Sequence, residues 1–189
     1  MALTDAGTTT FAALARHRPW RAWIPASILA RLPQAMLLLS WVVVGNARTG
    51  TLTLGATLAG VVSIAACVTA PLRGRVLDRQ DLRRSVQLDC LLTASNLALL
   101  IVVITARWPV WTLFAVAVAQ GWANAGTQSG LRALLVAVVP EGQLHRAHFV
   151  ESLATEFCYV IGPVLVGVLT LVGGVRVTLG VMIGIAGAA

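Results

Sequence analysis

RGRVLDRQDLRR, residues 73–84, sets five arginines and two aspartates between two long apolar runs. So much charge has to lie in water, while its flanks do not. The run before it, 52–72, and the run after it, 86–106, each match the roughly 20 residues that a helix needs to cross hydrocarbon. Further apolar segments follow outward at 24–44, 109–130, 149–171 and 174–189, behind a more polar stretch at 1–23. Lipid offers no partner to a free backbone N–H or C=O, so each segment is expected to be a helix. The expected fold is an all-α membrane protein with a bundle of six transmembrane helices.

Composition agrees with that class. With 58% hydrophobic residues, 11% charged residues and a mean hydropathy of +0.84, a soluble domain of 189 residues would have no means of hiding its apolar surface. All fourteen basic residues are arginine, and the net charge of +7 is read as a matter of where they lie along the chain rather than as a nucleic-acid surface. Cys67, Cys90 and Cys158 each fall inside an apolar run without C-x-x-C spacing, so they are expected to be reduced packing residues. No phosphate loop, nucleophile elbow or nucleophile with its base is present, which argues against an enzyme and against a cofactor. His145, His148 and Glu151 share a helix face, but we read them as a solvated helix start and expect no metal. The first apolar segment has no small-residue cleavage site behind it and should remain as an anchor.

Arginine placement predicts the orientation, because retained loops carry the positive excess. Arg16, Arg18, Arg21, Arg73, Arg75, Arg79, Arg83, Arg84, Arg132 and Arg146 fall on one side of the six spans. Only Arg48, Arg107 and Arg176 fall on the other, and Arg31 lies within the first span. Ten against three places 1–23 in the cytoplasm of a multi-pass cell-membrane protein. Residues 73–84 are then the cytoplasmic turn between spans two and three. Arg107-Trp108-Pro109 makes a tight external turn, where Trp108 and Trp111 suit an interfacial belt.

Positive-inside bias does not account for Gly74, Asp78 and Asp81. The order G-x-V-L-D-R followed by Arg83-Arg84 resembles the signature turn between spans two and three of the major facilitator superfamily, G-x-L-A-D-R-x-G-R-R. Gly74, Val76, Asp78 and Arg79 match in place, whereas Asp81 stands where that family has glycine. Ile161-Gly162-Pro163 followed by Gly167 resembles part of the glycine-proline motif of its drug and proton antiporters, which are efflux permeases. Gln120-Gly121 is similar to the end of the R-x-x-Q-G motif of span four, but Ala117 occupies the arginine position.

The resemblance runs from about Ala26 to the end of the chain and corresponds to the N-terminal half of a twelve-span transporter. It implies transport of a small solute by alternating access, with proton or ion coupling open. It also implies a cytoplasmic latch of Gly74, Asp78, Arg79, Arg83 and Arg84. A second six-span half would be needed as partner: a missing C-terminal half, a separate chain or a second copy. The sixth segment, fifteen residues from Val175, is expected to be truncated. The competing expectation is a remnant or a structural or regulatory membrane subunit without transport of its own.

Polar residues inside spans mark candidate sites, since each needs a partner or a wet cavity. Gln120, Asn124 and Gln128 recur every four residues and should share one helix face as a cavity lining. Arg31 and Gln34 lie in span one, at a depth bracketed by Glu151 and Glu156 of span five. Arg31 is expected to pair with one of these acids. Glu156, the deeper of the two, is the better functional candidate, either as that partner or as a proton carrier. The substrate-path candidates are therefore Arg31, Gln34, Gln120, Asn124, Gln128 and Glu156. Gly126, Gly130, Gly162, Pro163 and Gly167 are candidates for helix packing.

Overall fold

A computed structural model of the chain describes residues 18–77 and 81–189, and among these every regular element is helical. The order is α1 (Arg18–Thr49), α2 (Leu52–Leu77), α3 (Leu82–Thr105), α4 (Val110–Asn124), α5 (Thr127–Val138), a short 3-10 turn (Glu141–Gln143) and α6 (Leu144–Ala188). α1, α2, α3 and α6 are each long and apolar enough to cross a membrane.

One element departs from the segments expected above. The fourth segment, expected as one helix over 109–130, breaks after Asn124 and resumes at Thr127, running on to Val138. The physical reason lies in Asn124, Gly126 and Thr127, three weak helix formers within four residues, and in what Gly126 faces. A Cβ at Gly126 would lie 2.6 Å from Asp89 Oδ2, so only glycine leaves room for that carboxylate.

The last two segments, expected at 149–171 and 174–189, are two helical legs of α6 that meet at Gly174, where the chain doubles back. Gly174 has φ 73° and ψ −178°, a conformation that is essentially glycine-only. Thr170 Oγ1 and Thr178 Oγ1 consequently lie 3.1 Å apart. Residues eight apart on a straight helix would be separated by about 12 Å. The two legs of α6 thus run side by side, and Ala189 returns to the end where α1 begins, near Ala30, Val86 and Leu131.

The principal core is apolar and spans most elements: Met36 and Trp41 of α1, Leu58 of α2, Leu97 and Leu100 of α3, Leu113 of α4, and Val166 and Met182 from the two legs of α6. Glycines set the closest approaches. A Cβ on Gly45 of α1 would fall on the backbone of Gly55 of α2, and one on Gly162 of α6 would meet Ala35 and Met36 of α1. At the arginine-rich end a smaller cluster of Trp20, Trp23, Leu135, Val139 and Ala147 joins the start of α1 to α5 and α6.

Candidate functional site

Arg31 sits in α1 with only 1% of its surface exposed. A buried guanidinium is tolerable only when its charge is met. Its Nη2 donates to Glu151 Oε1 of α6 at 2.6 Å, and its Nε donates to Gln128 Oε1 of α5 at 3.3 Å. The Trp23 ring lies 5.6 Å from Arg31 Cζ, within cation–π range, and Trp20 stacks on that ring. Glu151 is shared: Arg132 Nε donates to the same Oε1 at 3.3 Å, and His148 Nδ1 is 3.4 Å from Oε2. One buried carboxylate therefore holds α1, α5 and the first turns of α6 together. The acid paired with Arg31 is thus Glu151 and not Glu156, which is exposed and without an ion-pair or hydrogen-bond partner among the described residues.

A second buried ion pair joins Arg73, near the end of α2, to Asp89 of α3, whose carboxylate is fully buried. The break at Gly126 lies against this pair. Two residues further on, Gln128 reaches the first pair. The break between α4 and α5 thus touches both ion pairs, one on each side.

The expected stripe of Gln120, Asn124 and Gln128 is divided by that break. Gln120 is wholly buried, accepts from Asn96 Nδ2 of α3 at 2.6 Å and donates to Asn124 Oδ1 at 3.3 Å. These three amides brace α3 against α4, and of them Asn96 also lines a pocket of about 360 Å³ between the two helices. Gln128 turns the other way and donates to Gln34 Oε1 at 3.4 Å. Ala117 is buried in the core, and Gly121 lets α4 approach Val62 and Ala65 of α2.

Gln34 opens onto a groove of about 540 Å³ between α1, α2 and α6, which is also lined by Leu38, Gly60, Ser63, Tyr159 and Pro163. Glu156 lies one helical turn before Tyr159 on the same stripe of α6. Gly167 continues that stripe and faces open space, so unlike Gly162 it makes no close helix contact. Gly130 is buried at the foot of α5, its N–H bonded to the Gly126 carbonyl.

In the charged turn, Asp78 and Arg79 lie outside the described residues. Gly74 has no neighbour within 4 Å of its Cβ position, and Arg83 and Arg84 are exposed at the start of α3. Asp81, in the place where the resemblance calls for glycine, caps α3 by accepting from Arg83 N at 3.1 Å. Cys90 and Cys158 are buried as expected, whereas Cys67 is exposed. Among the described residues no group of three histidine, cysteine or acidic side chains is placed to hold a metal ion.

A family model of the Major Facilitator Superfamily matches residues 15–189. The chain belongs to that superfamily. No curated protein and no solved structure matches it. As a superfamily member it is an all-α, multi-pass membrane protein and a membrane transporter. Asp89, Asn96 and Tyr159 are the site residues that sequence reasoning passed over. Asp89 carried a usable signal: it is the fourth residue of the apolar run 86–106, where a lone charge demands a partner.

Proposed function

We propose that this member of the superfamily is a secondary transporter that moves a small solute by alternating access. In this reading the chain crosses the membrane six times, with α4 and α5 together making one crossing and the legs of α6 making two. The arginine-rich end faces the cytoplasm. The groove between α1, α2 and α6 faces a second six-helix bundle, with which it encloses the solute.

One observation carries the reading: a hydrogen-bonded chain runs from groove-lining Gln34 through Gln128 to the buried Arg31–Glu151 pair. A solute that takes the Gln34 amide draws Gln128 with it, and Gln128 is held by the guanidinium that ties α1 to α6. Occupancy of the groove is thereby linked to the ion pair that fixes the cytoplasmic ends. Tyr159 supplies an aromatic face on the groove wall, and Glu156, one helical turn before it on the same stripe of α6, is the group at which a coupling proton or a cationic portion of a solute would bind. The Pro163 and Gly167 stripe of α6 lies on that wall too, which favours export.

The test is a thermal-shift screen of small organic solutes on the purified chain, followed by counterflow of each hit in proteoliposomes. Stabilisation that disappears in Gln34→Leu, with counterflow lost in parallel, is the expected result. Hits that bind equally well to the Gln34→Leu variant would move the solute path away from this groove.

A further inference from the structure

The three arginines on the minority side of the charge distribution converge. Arg48 ends α1, Arg107 occupies the turn between α3 and α4, and Arg176 opens the second leg of α6, yet together with Ala47 and Ile104 they line one pocket of about 340 Å³. Their clustering is unexpected on charge grounds, because like charges repel and positive residues are scarce on the translocated side of a membrane protein. No acid offsets them: residues 45–56, 103–112 and 168–180 contain neither aspartate nor glutamate. The pocket is nonetheless held together by specific contacts. Arg48 Nη2 donates to the Trp108 carbonyl at 2.6 Å, which fixes the end of α1 to the α3–α4 turn. Arg107 itself is held at φ 52°, the left-handed region that a residue with a Cβ seldom adopts. Beside them Trp108 and Trp111 are exposed, as aromatics are at the level of lipid headgroups.

We propose that this pocket binds a phosphate group, carried either by an anionic phospholipid of the adjacent leaflet or by a free phosphate ester. Three guanidinium groups around one concavity present paired donors to the oxygens of a phosphate, the geometry in which arginine excels over lysine. The anion replaces the missing carboxylates and relieves the mutual repulsion of the three cations. It also links the ends of α1, α3 and α6 at the side of the membrane opposite the two buried ion pairs.

The experiment uses the full chain in nanodiscs of phosphatidylcholine mixed with phosphatidylglycerol, with retained lipid read by native mass spectrometry. A parallel thermal-shift titration in detergent uses inorganic phosphate and glycerol 3-phosphate against chloride. Each arginine near an anionic lipid surface is worth about fivefold in binding, so R107Q/R176Q should weaken retention roughly 25-fold. R18Q, at the opposite end, should leave it unchanged. R107K/R176K keeps the charge and should bind better than the glutamine pair, which separates electrostatics from any disturbance of the turn. Selective retention of phosphatidylglycerol identifies the lipid as the source, and stabilisation by glycerol 3-phosphate or phosphate identifies a free ester. The proposal is overturned if neither probe binds above its control, if R107Q/R176Q binds as the unaltered chain does, or if the lysine pair is no better than the glutamine pair.

Discussion

At Glu151 two arginines compete for one carboxylate, and their burial decides what each contributes. Arg31 is 1% exposed and Arg132 66% exposed at the side chain, so water screens the second contact and leaves the first bare. Removing one partner of a buried pair costs about 3 to 5 kcal/mol, because the other is left as an uncompensated charge. Glu151→Gln strands Arg31 and should incur that full cost. Arg31→Met leaves Glu151 with Arg132 and His148 still in reach and should cost less. Arg132→Gln should cost no more than about 1 kcal/mol, the range of an exposed ion pair. The double variant Arg31→Met with Glu151→Met should recover much of the loss of Glu151→Gln, since a neutral pair needs no compensation. Unfolding in detergent checks the order, and a larger loss in Arg132→Gln than in Arg31→Met would contradict it. Asp89 invites the same treatment with a simpler outcome. Arg73 is its sole ion-pair partner among the described residues, so Asp89→Asn and Arg73→Gln should be comparably damaging.

Among the helices, glycine has two separate roles that the same substitution tells apart. Gly45 lies where α1 crosses α2 and a Cβ would enter the Gly55 backbone, which cannot swing aside as a side-chain end does. Gly184 on the second leg of α6 has open space around its Cβ position. Gly45→Ala should therefore push the helices apart at a cost of about 1 to 3 kcal/mol. Gly184→Ala should gain up to about 1 kcal/mol from helix propensity alone. Gly174→Ala tests a third case, backbone conformation: forcing a side chain into φ 73° should cost about 1 to 3 kcal/mol and loosen the hairpin of α6. The apparent melting temperatures of the three variants give the comparison directly. This is also the scale at which the sequence was least legible. Hydropathy locates apolar runs but not helix ends: α1 begins six residues before and ends five after the run at 24–44, and α2 continues five residues past the run at 52–72. Hydropathy does not register a break whose cause is a carboxylate on another helix, so the interruption at Gly126 was invisible and the amide stripe across it looked continuous. The Arg31 partnership was legible as a choice between two acids, because depth along a helix can be counted, but which acid turns inward depends on the rotation of α6. Asp89 could have been found by the rule that a charge inside an apolar run needs a partner. The groove and Tyr159 required knowing which faces the packing leaves open.

For the molecule as a whole, charge is sorted by height. Both buried ion pairs and the start of α3 at Arg83 lie toward the end where α1 begins, the middle is apolar core, and the opposite end carries Arg48, Arg107 and Arg176 without an acid among the described residues. Ten arginines against three predict insertion in one orientation, with the arginine-rich end in the cytoplasm. Orientation is testable independently of any solute. In a chain with Cys67, Cys90 and Cys158 replaced by alanine, a single cysteine at Thr51 and another at Arg84 report on opposite ends, since both positions are exposed. A membrane-impermeant maleimide applied to intact cells should label the Thr51→Cys variant, and should reach the Arg84→Cys variant only after permeabilisation. The reverse pattern would put the arginine-rich end outside and reverse the direction assigned to the groove. Equal labelling of both would mean mixed insertion, at odds with the superfamily's arrangement of two bundles in parallel about an axis along the membrane normal.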